Sequence, residues 1–268
     1  MLFVCLIVNH SQEHDSTDKH CKLEPMEHEH SPDAIRARLE AGPTQNYLRD
    51  WIYGGIDGAV TTLAVVTGVA GAQLSNWVVL VLGFANLFAD GFSMAASNYL
   101  GTKAEQDDWR RLERIEHRHI ELEPEGEREE VRQIFARKGF EGAELERMVE
   151  LVTSNRERWV QTMLMDEYGL PQSVRSAWMA AFSTFTAFLI CGLVPLLPYL
   201  FGTMEHSLAL SAALTGVVFF AIGSIKSRWS TSSWWRSGVT TFLVGGIAAS
   251  LAYVVGLILR TVFGVTAG

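Results

Sequence analysis

Five stretches of the chain stay apolar for about 20 residues or more. That is the length needed to cross a hydrocarbon core of about 30 Å at about 1.5 Å of helix rise per residue. They run approximately over Trp51–Ala72, Trp77–Gly101, Ala177–Phe201, Ser207–Ile225 and Gly238–Leu259. Buried helices of soluble proteins rarely come five at a time with so little charge, so the pattern predicts five membrane spans.

Between the second and third spans the pattern turns polar but stays helical. Nothing interrupts Thr102–Leu122 after Gly101, so the second span is expected to continue as one helix beyond the bilayer. Pro124 suits the first turn of a new helix that runs to about Lys138 and stops at Gly139. A third helix is expected over about Glu141–Thr153. A fourth should begin at Ser154, where Ser-Asn-Arg-Glu has capping-box spacing, and end at Gly169 before Pro171. No β-type alternation occurs, so the predicted fold class is all-α. The expected layout is a disordered His- and Glu-rich arm over 1–46, spans one and two over 47–101, a helical insertion over 102–172, and spans three to five over 173–268.

Charge sharpens this layout. The chain has 22 Lys and Arg against 30 Asp and Glu among 268 residues, a net charge of −8. Outside residues 1–50 and 102–176 the only acids are Asp57, Asp90 and Glu205, and the only bases Lys226, Arg228, Arg236 and Arg260. That segregation excludes a uniform soluble fold, and the acidic balance argues against a nucleic-acid partner. The links Gln73–Asn76 and Gly202–His206 carry no Lys or Arg, whereas the arm, the insertion and the Lys226–Arg236 stretch carry 21 of the 22. The positive-inside rule then predicts a cytoplasmic N-terminus and insertion and an outside C-terminus. Leu2–Val8 is a poor signal peptide, being short and without a basic flank. Cys5, Cys21 and Cys191 give no reason for a disulfide and no zinc spacing. His10, His14, His20, His28 and His30 fall in the arm, where they read as a solvated acidic tail or a metal-collecting one.

Ionisable residues inside spans cost free energy and are functional candidates. Asp57 lies about two turns into span one, and Asp50 shares its face seven residues earlier. Asn86, Asp90 and Met94 are spaced by four and form one stripe of span two. Gly54-xxx-Gly58 is a small-xxx-small packing pattern, and Pro195 and Pro198 mark a kink in span three. Two carboxylates and a thioether suit a divalent transition metal, and a buried carboxylate can hold either a proton or that metal. In the insertion, Glu116 and His119 share a helix face, as do Glu127 and Glu130, and Met163 and Glu167. Three helices thus offer pairs of oxygen, nitrogen and sulfur ligands, although such pairs also occur on solvated helices. Glu121, Glu123, Glu125 and Glu129 read as solvated charge.

The segment Arg49-Asp50-Trp-Ile-Tyr-Gly-Gly-Ile-Asp57-Gly58-Ala-Val-Thr61-Thr62 resembles the first span of the vacuolar iron transporter family. Gly-Phe-Ala-Asn86-Leu-Phe-Ala-Asp90-Gly91-Phe-Ser93-Met94 with Asn98-Tyr99-Leu100-Gly101 is similar to its second, and Val194-Pro195-Leu-Leu-Pro198-Tyr199 to its third. The likeness covers roughly 47–262. It implies a homodimeric, proton-coupled exporter of Fe²⁺, often also Mn²⁺, with a pore between the subunits. Asp57 and Met94 match that family's pore ligands; Glu116, His119, Glu127, Glu130, Met163 and Glu167 match its cytoplasmic metal-binding pattern. Three departures stand out: His119 in place of Glu, Leu164 in place of a second Met, and Asn86 in place of Glu, with Asp90 one turn away to supply the charge.

The expectation is therefore a transporter in which the insertion captures metal and Asp50, Asp57, Asn86, Asp90 and Met94 line the route. It needs no prosthetic group: Fe²⁺, Mn²⁺ or Zn²⁺ is a bound substrate ion, protons are the counter-ion, and the lipid bilayer is the setting. The membrane would be the plasma membrane in a bacterium and a vacuolar-type one in a eukaryote. One rival comes from another class. Glu116-x-x-His119 has the spacing of ferritin-like di-iron sites, which would make the insertion a membrane-tethered ferroxidase, though two such motifs are expected and one is present.

Overall fold

The computed structural model describes residues 29–42, 45–201, 206–229 and 233–263, and among them every regular element is helical. His10, His14, His20, His28, Cys5, Cys21 and the Leu2–Val8 run lie outside the described residues.

The N-terminal unit, 1–44, contains helix α1, Pro32–Ala41, where the sequence reading expects disorder. The reason is local. Ser31 caps it by accepting the Ala34 N–H at 3.4 Å, Pro32 presets the first turn, and Asp33 sits at the positive end of the dipole.

The second unit, 45–268, holds the remaining helices. They are α2 Leu48–Gly71, α3 Asn76–Leu122, α4 Pro124–Arg137, α5 Gly142–Thr153 and α6 Arg156–Asp166. After these come α7 Ala177–Leu193, α8 Leu197–Phe201, α9 Ser207–Lys226 and α10 Trp234–Phe263. Five helical segments are long and apolar enough to cross a membrane: α2, the first part of α3, α7 continued into α8, α9 and α10. The chain is a polytopic integral membrane protein, with spans where the hydropathy places them.

Helix α2 is the centre of the bundle, packing against α3, α7, α9 and α10. Its glycines make that possible. A Cβ on Gly54 would stand 2.2 Å from the Thr184 carbonyl oxygen, and one on Gly58 would stand 2.4 Å from that of Phe188. The Gly54-xxx-Gly58 pattern is thus the seam along which the α2 and α7 backbones touch, with Gly192 returning the contact against Gly58. At the other end of α2, Gly256 of α10 approaches the Gly68 carbonyl in the same way. Some hydroxyls inside the bundle are satisfied within their own helix: Thr61 donates to the Asp57 carbonyl at 2.9 Å, and Thr67 to that of Leu63 at 2.9 Å. The outer faces are apolar and open, as Leu243, Ile247, Leu251 and Val254 of α10 show.

Pro195 and Pro198 break span three. A 3₁₀ turn, Val194–Leu196, separates α7 from α8, because proline cannot donate to the helical ladder. The Ser211 hydroxyl of α9 donates to the Pro195 carbonyl at 2.7 Å, so the break is tied to its neighbour.

Helix α3 runs unbroken for 47 residues, about 70 Å at the standard rise, so its second half projects well past any bilayer core. Helices α4, α5 and α6 fold back on that projection around Val131, Ile134, Phe135, Val149, Val152, Trp159 and Met163. The expected boundaries hold for α3, α4 and α5. Helix α6 differs at both ends: Asn155, not Ser154, is the cap, accepting the Arg158 N–H at 3.0 Å, while Ser154 donates to the Leu151 carbonyl at 2.9 Å, and the helix stops at Asp166, short of Gly169.

Candidate functional site

Two groups of polar side chains stand out, one between α2 and α3 and one in the helical insertion. The two helices run antiparallel, so each step of four along α3 meets a step back along α2. Asn86 donates from Nδ2 to Thr61 Oγ1 at 3.3 Å. One turn on, Asp90 lies within electrostatic range of Asp57. Met94 and Tyr53 then line one wall of a cavity of about 300 Å³, where Asn98 donates to Asp50 Oδ1 at 3.0 Å. The result is a ladder of four polar rungs through the apolar bundle. Asp57, Asn86, Asp90 and Met94 are all half-buried, so this face is partly open in the single chain.

Asp50 differs from the others. It is 3% exposed, and both its oxygens are taken: Asn98 holds Oδ1, and Arg175 donates from Nη1 to Oδ2 at 2.9 Å. Asn98 Nδ2 also lies 2.7 Å from Thr184 Oγ1, joining α2, α3 and α7 at this level.

In the insertion, Glu116 of α3 and Glu127 of α4 are both buried, at 1% and 5% exposure. Tyr168 donates its hydroxyl to Glu116 Oε1 at 2.9 Å, and His119 Nδ1 lies 3.4 Å from Glu127 Oε1. Glu116 Oε2 and Glu127 Oε2 are buried with no hydrogen-bond partner. Ionised carboxylates only accept, so these two can share a hydrogen bond only when one holds a proton. Burial first, and then the charges of Glu116, Glu130 and Glu167, raise the Glu127 carboxyl to about 7. Glu167 stands at the rim. Partial desolvation and the charges of Glu116 and Glu130 raise it above the usual carboxylate range, while Tyr168 and His119 pull it down. Burial and the bond to Glu116 push the Tyr168 phenol up, which keeps it a donor. Met163 is fully buried in the adjoining core, and Glu130 is exposed beside the cluster.

The arrangement therefore brings Glu116, His119, Glu127, Glu130 and Glu167 into one electrostatic neighbourhood. As it stands, no group of three or more His, Cys, Asp or Glu among the described residues is set to hold a metal ion.

Residues 48–257 match the VIT family. This chain belongs to that family. Vacuolar iron transporter 1 of Oryza sativa subsp. japonica is 32% identical over 208 residues, covering 77% of this chain and 82% of its own length. Vacuolar iron transporter 1 of Arabidopsis thaliana is 32% identical over 210 residues, covering 77% and 83%. Vacuolar iron transporter of Toxoplasma gondii is 30% identical over 236 residues, covering 82% and 77%. The resemblance read from the sequence is thereby confirmed, and relatives named as transporters point away from an enzyme.

Some site residues of this VIT-family chain escape a reading by sequence alone. Asn98 continues the Asn86, Asp90, Met94 spacing by one more step of four, so its place on the ladder was visible in the pattern. Tyr168 adjoins Glu167, but its aim at Glu116, 52 positions away, depends on how α6 lies on α3. Arg175 is 125 positions from Asp50, and no spacing rule links them.

Proposed function

We propose that this protein is a proton-coupled divalent metal transporter that moves Fe²⁺, and with it Mn²⁺, out of the cytoplasm. The observation that carries this reading is the Asp57–Asp90 rung in the middle of the α2–α3 ladder. Two carboxylates within electrostatic range on this half-buried face repel unless a proton or a cation neutralises them, so each state excludes the other. That is the chemistry of exchange. The relatives' names supply iron as the substrate, and the Met94 thioether favours a transition metal over Mg²⁺ or Ca²⁺.

The insertion is the capture site on the cytoplasmic side, in keeping with the concentration of basic residues there. Glu116 and Glu127 offer unpartnered oxygens, Glu130 and Glu167 form the rim, and His119 and Met163 add softer donors. A dication draws these groups together, and binding displaces the proton from Glu127. Metal then passes to Asp50 and Met94 at the mouth, and along the rungs of Asp57, Asp90 and Asn86. Protons arriving from the far side release it. The half-open α2–α3 face is completed by a second copy, so the route lies at a homodimer seam.

Uptake of Fe²⁺ and Mn²⁺ into proteoliposomes, with internal pH recorded, tests the reading. Wild-type vesicles should take up metal with opposite proton movement. Asp57→Ala should lower the rate at least tenfold, and uptake at the normal rate by that variant would refute the role given to the rung.

A further inference from the structure

Arg175 joins the route at its mouth. It lies in the link between α6 and α7, and that link is strapped to the long helix at two points. Gln106 Nε2 donates to the Arg175 carbonyl at 2.6 Å, and Trp109 Nε1 donates to that of Pro171 at 3.1 Å. The Ser176 N–H is held by Tyr47 Oη at 3.0 Å, just before α2. The backbone is thus fixed from both sides, and the side chain reaches into the cavity that also holds Asp50, Tyr53, Met94 and Glu105.

We propose that Arg175 is a latch on this mouth: its guanidinium occupies the Asp50 carboxylate in competition with an incoming dication, which must displace it to reach Met94. The inference rests on the transport reading above. Three observations carry it. Each Asp50 oxygen already accepts a hydrogen bond, Oδ1 from Asn98 and Oδ2 from Arg175, so an incoming metal competes with both for the carboxylate. Both residues line a cavity, and Arg175 is on its accessible side, so the guanidinium can leave the buried Asp50 carboxylate without unfolding. Arg175 itself keeps substantial exposure, its side chain at 28% against 4% for Asp50, so the cation can swing to solvent while the acid stays fixed. A buried carboxylate that loses one cation is costly unless another replaces it, so release of Arg175 and arrival of metal are coupled.

The test uses full-length protein in proteoliposomes with Mn²⁺ as the probe, measuring the concentration for half-maximal uptake. Arg175→Gln should lower it severalfold by removing the competitor. Arg175→Lys, which keeps the charge but loses the planar fork, should shift it in the same direction by less, and carries the test if Arg175→Gln fails to fold. Adding Asp50→Asn to Arg175→Gln should abolish the gain, because it acts through that carboxylate. An unchanged or raised half-maximal concentration in the Arg175 variants, with wild-type uptake intact, would overturn the latch alone. Wild-type vesicles that move no Mn²⁺ or Fe²⁺ would overturn the transport reading and the latch with it.

Discussion

At the residue scale, Glu127 sets how the extramembrane cluster responds to pH. Its carboxyl is raised to about 7, so near neutrality it is divided between protonated and ionised forms. Metal binding requires the ionised form, so affinity should rise with pH up to about 7 and level off above it. Titrating purified protein with Co²⁺ by absorption at several pH values checks this, and Glu127→Gln should weaken binding and flatten the pH curve. The same shift has a stability consequence of definite sign. The folded state binds this proton more tightly than the unfolded one, so without metal the contribution is complete below the ordinary Glu range and lost as pH rises through about 7. Metal-free melting temperature should therefore fall over that interval, and added metal should restore it. Tyr168 acts on the neighbouring acid. Its hydroxyl fixes one oxygen of Glu116 and leaves the other free, so Tyr168→Phe should weaken Co²⁺ binding several-fold while leaving the fold intact.

At the element scale, the bundle depends on backbone contact between α2 and α7. Methyl groups at Gly54 or Gly58 would meet carbonyl oxygens that cannot move aside, so Gly54→Ala and Gly58→Ala should each destabilise by about 1–3 kcal/mol, as overpacking does. Gly246 on α10 is the control: a Cβ there meets nothing within 4 Å, so Gly246→Ala should be neutral or slightly stabilising. Thermal melting in detergent distinguishes the two. These elements also show what sequence alone could reveal. Span positions, the unbroken α3 and the α4 and α5 boundaries follow from hydropathy, Pro and Gly, which act locally. Local competition misplaces the α6 start by a residue: Ser154 and Asn155 can both cap, and only the packed turn decides. Helix α1 was missed although Ser31-Pro32-Asp33 carried its start signal, because polar composition outweighed it. The stripe on α3 was legible from its spacing. Its register against α2 was not, since that depends on which glycines touch which backbone.

At the scale of the whole molecule, a 47-residue helix carries both the membrane rungs and Glu116, joining the two polar sites by one rigid element. The half-buried Asp57, Asn86, Asp90 and Met94 mark a partly open face in the single chain, which the proposed homodimer would cover. A cysteine placed at Ala89, on the exposed part of this helix, should cross-link to its counterpart in membranes if the seam runs there; purely monomeric product would remove the two-subunit route.

The central claim is that the Asp57–Asp90 rung trades protons for a dication, and an imposed pH gradient tests it most directly. With Mn²⁺ equal on both sides of proteoliposomes, the gradient alone should drive metal into the more acidic compartment, reverse when the gradient is reversed, and fail in Asp57→Asn. A wild-type protein that moves Mn²⁺ down its own gradient yet leaves it evenly distributed under a pH gradient would contradict the account.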